Sequence, residues 1–259
     1  MILKITVRVQ YEMVVRLIVA DSVKENTVFT DRYYQFVPGE TKDFFVRLPL
    51  VDKTVNILLF NNESDNVEDD AGIELLDISE QPLKKRLDLI NLNNRNLRDF
   101  IFFAQQFSFT AGFIPDNMSY GSQCGKFQID YLDAIRDENG NVIPTPASTF
   151  PNGLIQVAKC DFINMTVPMR IAILLHEYSH IYINKVPADE QEADKNSLLI
   201  FLCLGYPRLE ATEAWVYTFI NADSGTNQES DEARMIRMDK IQKFIQDFEN
   251  KNYYINGEW

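Results

Sequence analysis

Apolar and polar residues alternate along roughly the first 80 positions with the period of two that is typical of β-strands. Pro38 and Gly39 fit the central pair of a type II turn. Short strands separated by turn signals predict a small antiparallel β-sandwich over residues 1–79. The apolar positions of the successive rows are Leu3, Ile5, Val7 and Val9; Tyr11, Met13, Val15, Leu17 and Val19; Phe44, Val46 and Leu48; and Val55, Ile57 and Leu59.

From residue 80 onward, apolar residues recur mainly at helical spacing. Thr166 fits the N-cap of a helix, and Pro168 fits its first turn, where a missing N–H group costs nothing. Three later helices are predicted at about 188–204, 208–220 and 230–249, with a polar linker at 221–229. An earlier amphipathic helix is predicted from the spacing of Leu97, Phe100, Ile101, Ala104 and Phe107, and the last helix from that of Ile241, Phe244, Ile245 and Phe248.

Two extended stretches interrupt these helices. Residues 127–131 alternate, and the turn signal from Asp137 to Gly140 follows them, which together predict a β-hairpin. Residues 154–163 predict one more strand. The sequence therefore predicts an α+β protein, with a β-sandwich domain at 1–79 and a second domain at 80–259.

The chain is acidic, with 38 Asp and Glu residues against 25 Lys and Arg residues, a net charge of −13 and a pI near 4.6. Binding to phosphate groups needs clustered basic side chains, whereas those of this chain are scattered. The composition therefore favours neither nucleic acid nor an anionic membrane surface as a partner. The acidic stretch at 63–70 lacks the ligand spacing of an EF-hand and is predicted to be a solvated loop.

No segment approaches the roughly 18 uninterrupted apolar residues that a membrane span requires. The first 21 residues alternate and carry charges, unlike the apolar core of a signal peptide. Cys124, Cys160 and Cys203 are far apart and form no CxxC pair, which predicts reduced, buried thiols rather than disulfides. We expect a soluble protein without an export signal.

Residues 176–180, His-Glu-Tyr-Ser-His, form an HExxH motif on a predicted helix. Side chains four residues apart lie on one helix face, so His176 and His180 can bind the same zinc ion. Glu177 lies further around the helix and can act as the general base that takes a proton from a zinc-activated water. The motif contains both histidines of the sequence. The alternative is a pair of structural histidines on a helix face.

A third ligand has to come from another residue type, because no third histidine exists. The acidic segment 189–194 follows a predicted turn and begins a helix that runs back along the first. Glu190 and Asp194 then share a face, so that Glu190 can ligate zinc and Asp194 can orient a histidine through its other ring nitrogen. Glu192 remains an alternative ligand, although helix geometry favours Glu190. Favourable interaction with the helix dipole is an alternative reason for acidic residues here.

The motif followed by Glu190-Gln-Glu-Ala-Asp194 resembles the HExxH…ExxAD arrangement of gluzincin-type zinc metallopeptidases. The resemblance implies a zincin-like domain at 80–259, with Glu190 as ligand, and a peptide substrate lying along the predicted strand at 154–163. The interval between His180 and Glu190 is short for this family, and no third histidine stabilises an oxyanion. Candidates for that role near the helices are Tyr182, Tyr206, Tyr217 and Arg208.

The segment from His176 to Ala211 also resembles proteins of crAss-like tailed bacteriophages, which implies a virion-associated protein found in the host cytoplasm and the virion. Two function hypotheses follow. The first is a zinc metallopeptidase that acts on proteins or peptides. The second is a structural neck or ring protein, built on a zincin scaffold, that forms a homo-oligomer or binds other virion proteins and keeps zinc mainly for folding. A domain without metal is a third alternative.

Overall fold

The computed structural model describes residues 1–48, 54–62, 72–83, 87–90, 93–221 and 230–251. The chain divides into two compact units, Met1–Leu83 and Lys84–Trp259. The predicted boundary between residues 79 and 80 falls inside a strand, Ile73–Gln81, which pairs with the first strand over its whole length. The predicted acidic loop at 63–70 and residues 222–229 of the predicted linker lie outside the described residues.

The described part of the first unit forms two three-stranded antiparallel sheets, in the orders β4-β1-β6 and β3-β2-β5. Their strands are β1 (Ile2–Val9), β2 (Met13–Asp21), β3 (Val28–Phe36), β4 (Thr41–Arg47), β5 (Val55–Asn61) and β6 (Ile73–Gln81). The central strands β1 and β2 bury alternate side chains, as their period of two predicts. Phe44 joins the two sheets through ring contacts with Tyr34 and Phe36.

The predicted turn at Pro38 and Gly39 is confirmed. The N–H of Glu40 donates to the carbonyl of Val37 at 3.1 Å, and Gly39 has a φ of +76°, as the third residue of a type II turn requires. Tyr11 does not belong to the buried row of β2, since it is 64 % exposed and the strand begins two residues later.

The second unit contains a four-stranded sheet in the order β7-β8-β10-β9. Its strands are β7 (Met118–Gly121), β8 (Gln128–Leu132), β9 (Ala147–Thr149) and β10 (Leu154–Ala158). Strands β8 and β10 are parallel, and the other pairs are antiparallel. The hairpin partner of β8 is therefore the preceding β7, and the predicted hairpin through residues 137–140 amounts to one isolated bridge between Arg136 and Val142.

The predicted strand at 154–163 is too long. After Ala158 the chain turns into a short helix, so that only the first half of the segment is extended. Strand β10 also has neighbours on both sides, which makes it an inner strand, whereas β9 lies at the edge of the sheet.

The long helices of the second unit begin close to their predicted starts, whereas the short helix at 159–162 is not among those predicted. After a short 3-10 turn at Leu87–Leu89, the helices are α1 (Arg95–Thr110), α2 (Lys159–Phe162), α3 (Val167–Tyr182), α4 (Glu190–Cys203), α5 (Arg208–Asn221) and α6 (Asp231–Asn250). Thr166 caps α3 as predicted, and Asp189 and Ser230 accept hydrogen bonds from the first turns of α4 and α6.

Helix α3 is the centre of this unit, since every residue from Val167 to Ser179 is buried. Helix α1 packs against it through the stacked rings of Phe100 and Tyr178, whose centroids are 4.3 Å apart. Helices α4 and α5 also pack on α3. The first four residues of the HExxH motif thus lie within this buried run, and the partly buried His180 follows it directly.

Cys124, Cys160 and Cys203 form no disulfide with one another, as predicted. Cys203 is buried, but Cys124 and Cys160 are exposed, so the expectation of buried thiols is wrong for those two. Among the helices of the described ranges, none combines the length and the apolar character that crossing a membrane requires.

Candidate metal centre

The two histidines of the motif face each other across one turn of α3. The Nε2 atoms of His176 and His180 are 3.0 Å apart. Glu190, the first residue of α4, places Oε2 at 3.2 Å from His176 Nε2 and Oε1 at 3.6 Å from His180 Nε2. The structure therefore brings the three predicted ligands together, with one donor atom of each within 4.8 Å of the others.

The outer ring nitrogens of both histidines meet acceptors. His180 Nδ1 donates to the carbonyl oxygen of Pro187 at 2.6 Å. His176 Nδ1 lies 3.0 Å from Asp194 Oδ1, in a contact more bent than a straight hydrogen bond. Because these acceptors favour a proton on Nδ1, the lone pairs of both Nε2 atoms point to the space between the rings.

Asp194 is buried, and Trp215 and Arg237 hold its carboxylate in addition to the contact with His176. Trp215 Nε1 on α5 donates to Oδ1 at 2.7 Å, while Arg237 on α6 donates from Nε to Oδ2 at 2.7 Å and from Nη2 to Oδ1 at 2.9 Å. Burial alone would raise the pKa of Asp194, but His176 and Arg237 hold it well below its usual range. The carboxylate that orients His176 is thus kept ionised.

Arg237 connects this carboxylate to the third ligand. Its Nη2 atom is 3.2 Å from Glu190 Oε2, and its guanidinium lies over the ring of Phe219 at 4.9 Å. Burial would raise the pKa of Glu190, but His176, Arg237 and His180 lower it. Burial would likewise lower the pKa of His176, yet Asp194 and Glu190 raise it to about 10. The cluster therefore favours positive charge at its centre.

Glu177 is buried and accepts a hydrogen bond from the edge strand. The hydroxyl of Thr149 on β9 lies 2.6 Å from Glu177 Oε2 and 3.2 Å from the carbonyl oxygen of Glu177. The predicted general base therefore lines the same cleft as the ligands without joining their cluster.

A cleft of about 780 Å³ opens over these groups. Its lining includes all three residues of β9, together with Ile173, Trp215 and Phe219. The contacts of Ala158 N with Pro146 O and of Phe150 N with Leu154 O set the pairing of β9 with β10, in which Ser148 faces β10. Ala147 and Thr149 consequently direct their main-chain groups toward the open edge, where no other described strand pairs with β9.

The donor set fits a divalent metal ion on two counts. A tetrahedral zinc ion with bonds of about 2.0–2.1 Å places its ligand atoms about 3.3 Å apart. The two Nε2 atoms are 3.0 Å apart and His176 Nε2 is 3.2 Å from Glu190 Oε2, while the other carboxylate oxygen, Oε1, is the one that lies 3.6 Å from His180 Nε2. With neutral imidazoles, the carboxylates of Glu177, Glu190 and Asp194 outnumber the one guanidinium of Arg237 by two charges, which a dication balances.

Other sequence candidates lie elsewhere. Glu192 accepts a hydrogen bond from the N–H of Lys185, away from the histidines, so it is not part of the cluster. None of the four oxyanion candidates lines the cleft. Tyr182 stacks on Tyr178, Tyr206 accepts from Gln105, Tyr217 donates to Asp161, and Arg208 pairs with Glu249.

Three residues of the site, Thr149, Trp215 and Arg237, are not among those predicted from the sequence. Of these three, only Arg237 could have been identified from the sequence. It lies four residues before Ile241 on the apolar stripe of α6, where a charged side chain needs a buried partner. Comparisons of this chain with protein-family models, with curated proteins and with solved structures give no match.

Proposed function

We propose that this protein is a zinc-dependent metallopeptidase that cleaves protein or peptide segments by gluzincin-type chemistry. The observation that carries the proposal is the meeting of His176, His180 and Glu190 at ligand-like separations, beside the carboxylate of Glu177 and an open strand edge. The proposal extends to a zincin-like fold for the second unit, whose helix α3 carries the motif.

The residues around the cleft have separate roles in the proposed hydrolysis. When bound, zinc lowers the pKa of a coordinated water toward about 7 and polarises the carbonyl to be attacked. Glu177 accepts the proton of the attacking water as the new C–O bond forms, and delivers it to the amide nitrogen as the C–N bond breaks. Asp194 and the Pro187 carbonyl keep the histidines oriented.

The edge strand supports an extended substrate. A peptide that adds to β9 as a further strand can accept hydrogen bonds from the N–H groups of Ala147 and Thr149 and donate to the Thr149 carbonyl. The carbonyl of Ala147 already accepts a hydrogen bond from the hydroxyl of Thr145 at 2.8 Å. The substrate strand expected along residues 154–163 is thus assigned to β9 instead, since β10 is enclosed by its neighbours.

Metal content tests the first part of the proposal. Elemental analysis of the purified chain should give one zinc per chain, and Glu190→Gln should lose it. Glu192→Gln is the matched control, since it removes an acid from the same helical turn outside the cluster and should retain zinc. A wild-type chain that binds no zinc contradicts the proposal.

Turnover tests the second part. The zinc-loaded chain should cleave unfolded protein substrates, a chelator should stop cleavage, and added zinc should restore it. Glu177→Gln should keep its zinc but lose activity, because it removes only the proton acceptor. Cleavage that survives this substitution overturns the assigned mechanism.

A structural role in a virion assembly is the second candidate. It is favoured by apolar side chains that the edge strands of the first unit leave exposed, as partner-binding surfaces do. These side chains are Leu58 and Phe60 on β5 and Leu75, Leu76 and Ile78 on β6. A zinc-loaded chain that forms a stable oligomer, is unaffected by Glu177→Gln and cleaves nothing would support this role.

A further inference from the structure

Helix α6 reaches the candidate metal cluster through the side chain of Arg237. Arg237 donates to both oxygens of Asp194 and approaches Glu190, and it is only 7 % exposed. Its guanidinium is also fixed from one face by the ring of Phe219. Neither the spacing of the motif nor water activation requires a residue from this helix.

We propose that Arg237 is a positioning residue for metal binding, which makes the docking of α6 part of the metal site. This inference rests on the proposed function, because it assigns Arg237 a role toward the same ion. One planar guanidinium holds the ligand carboxylate of Glu190 and the orienting carboxylate of Asp194 in a fixed relation. Both carboxylates are thereby set in place before the ion arrives.

Electrostatics alone predicts the opposite effect of Arg237. A positive charge close to the ligands repels a metal cation, so removing it should tighten binding if charge were its only contribution. Positioning predicts weaker binding after removal, because Glu190 and Asp194 would repel each other and move apart. The sign of the change in zinc affinity therefore distinguishes the two roles.

A reciprocal effect on α6 follows from linkage. If docking of Arg237 raises zinc affinity, zinc must stabilise the docked helix by the same factor. Helix α6 packs on α4 and α5 and buries Ile241, Ile245 and Phe248, and Arg237 adds the contact to the cluster. Zinc should thus slow local opening of α6, although none of the predicted ligands lies on it.

The test measures zinc affinity by competition with a chromophoric chelator. Arg237→Met should weaken zinc binding about 10- to 100-fold, the usual effect of losing a group that orients metal ligands. Arg237→Lys should weaken it less, because it keeps the charge but not the bidentate geometry. Arg234→Met is the matched control, since Arg234 lies one turn earlier on α6, donates to the carbonyl of Phe219 and should leave zinc affinity unchanged.

Hydrogen exchange of the full chain supplies a readout that a merely structural role would not change. Zinc should slow amide exchange along α6 in the wild type and in Arg234→Met, but much less in Arg237→Met. Unchanged or tighter zinc binding by Arg237→Met overturns the inference, and Arg237→Lys decides if the Met variant does not fold. A wild type that binds no zinc overturns the proposed function and this inference together, whereas equal tight binding by wild type and variants overturns this inference alone.

Discussion

At the residue scale, the hydroxyl of Thr149 holds the carboxylate of Glu177, the proposed general base. A general base acts only when its carboxylate lies within reach of the reacting water. This hydroxyl carries one proton, and its contact with Glu177 Oε2 is 0.6 Å shorter than its contact with the Glu177 carbonyl, at 2.6 Å against 3.2 Å. The bond to the carboxylate is charge-assisted and restricts rotation of the side chain. Thr149 therefore controls the position of the Glu177 carboxylate.

We expect Thr149→Val to lower kcat about 10-fold or more, because a hydrogen bond to a charged group contributes about 1.5–3 kcal/mol and about 1.4 kcal/mol is a factor of ten in rate. Zinc affinity and KM should stay unchanged, since valine keeps the shape and the strand preference of threonine. Thr149→Ser, which keeps the hydroxyl, is the control and should retain most of the activity. Steady-state kinetics measure both, and an equal loss in the two variants contradicts the assignment.

Sequence distance decides which site residues can be predicted. His176, Glu177 and His180 are related by helical spacing, as are Glu190 and Asp194 on the next helix, so the local geometry of α3 and α4 places them. Thr149, Trp215 and Arg237 meet their partners across 28, 21 and 43 residues. Those contacts depend on how the helices and the sheet pack, which the spacing of residues along the chain does not encode.

At the scale of elements, the starts of the long helices could be predicted, but the start of α2 and the order of the strands could not. Thr166 predicts the start of α3 because capping is a local interaction between a side chain and the first turn of the helix. Period-two alternation indicates that β10 is a strand but not which strands flank it, so its inner position and the edge position of β9 depend on long-range pairing. The end of β10 at Ala158 was missed because residues 159–162 stay partly apolar while turning helical.

The cap of α3 should contribute more stability than an exposed cap. Thr166 accepts from the N–H of Met169 and donates to Glu210 Oε2 at 2.6 Å in a buried position. We expect Thr166→Ala to lower the free energy of unfolding by about 2 kcal/mol, since a lost N-cap costs about 1 kcal/mol and a lost hydrogen bond to a charged group adds at least as much. Urea unfolding measures this.

The control for this prediction is the exposed cap of α6. Ser230→Ala should cost about 1 kcal/mol or less, because Ser230 is exposed and caps α6 by accepting a hydrogen bond from the N–H of Ala233. Thr166→Ser should remain close to wild type. Equal losses for Thr166→Ala and Ser230→Ala would mean that the contact with Glu210 contributes nothing.

At the scale of the whole molecule, the candidate site belongs to one unit. The ligands, Glu177, Thr149, Trp215 and Arg237 all lie within Lys84–Trp259, and the first unit has its own buried core in β1 and β2. Trp215 on α5 lies in the second unit, and Trp259, the other tryptophan of the sequence, is outside the described residues. In a chain that keeps Trp215 as its sole tryptophan, fluorescence therefore follows the unfolding of the unit that contains the site, while amide exchange in β1 and β2 follows the other.

Zinc should stabilise the second unit selectively. At a free zinc concentration 100 times the Kd, binding to the folded state alone adds about 2.7 kcal/mol to the free energy of unfolding. In Trp259→Phe, where Trp215 is the sole tryptophan, zinc should raise the urea concentration at the unfolding midpoint. In the double variant that also carries Glu190→Gln, zinc should leave this midpoint unchanged. Exchange in β1 and β2 should not respond to zinc. A midpoint shift that survives Glu190→Gln would place the ion outside the cluster, because the remaining histidines alone bind zinc far more weakly than a three-ligand site.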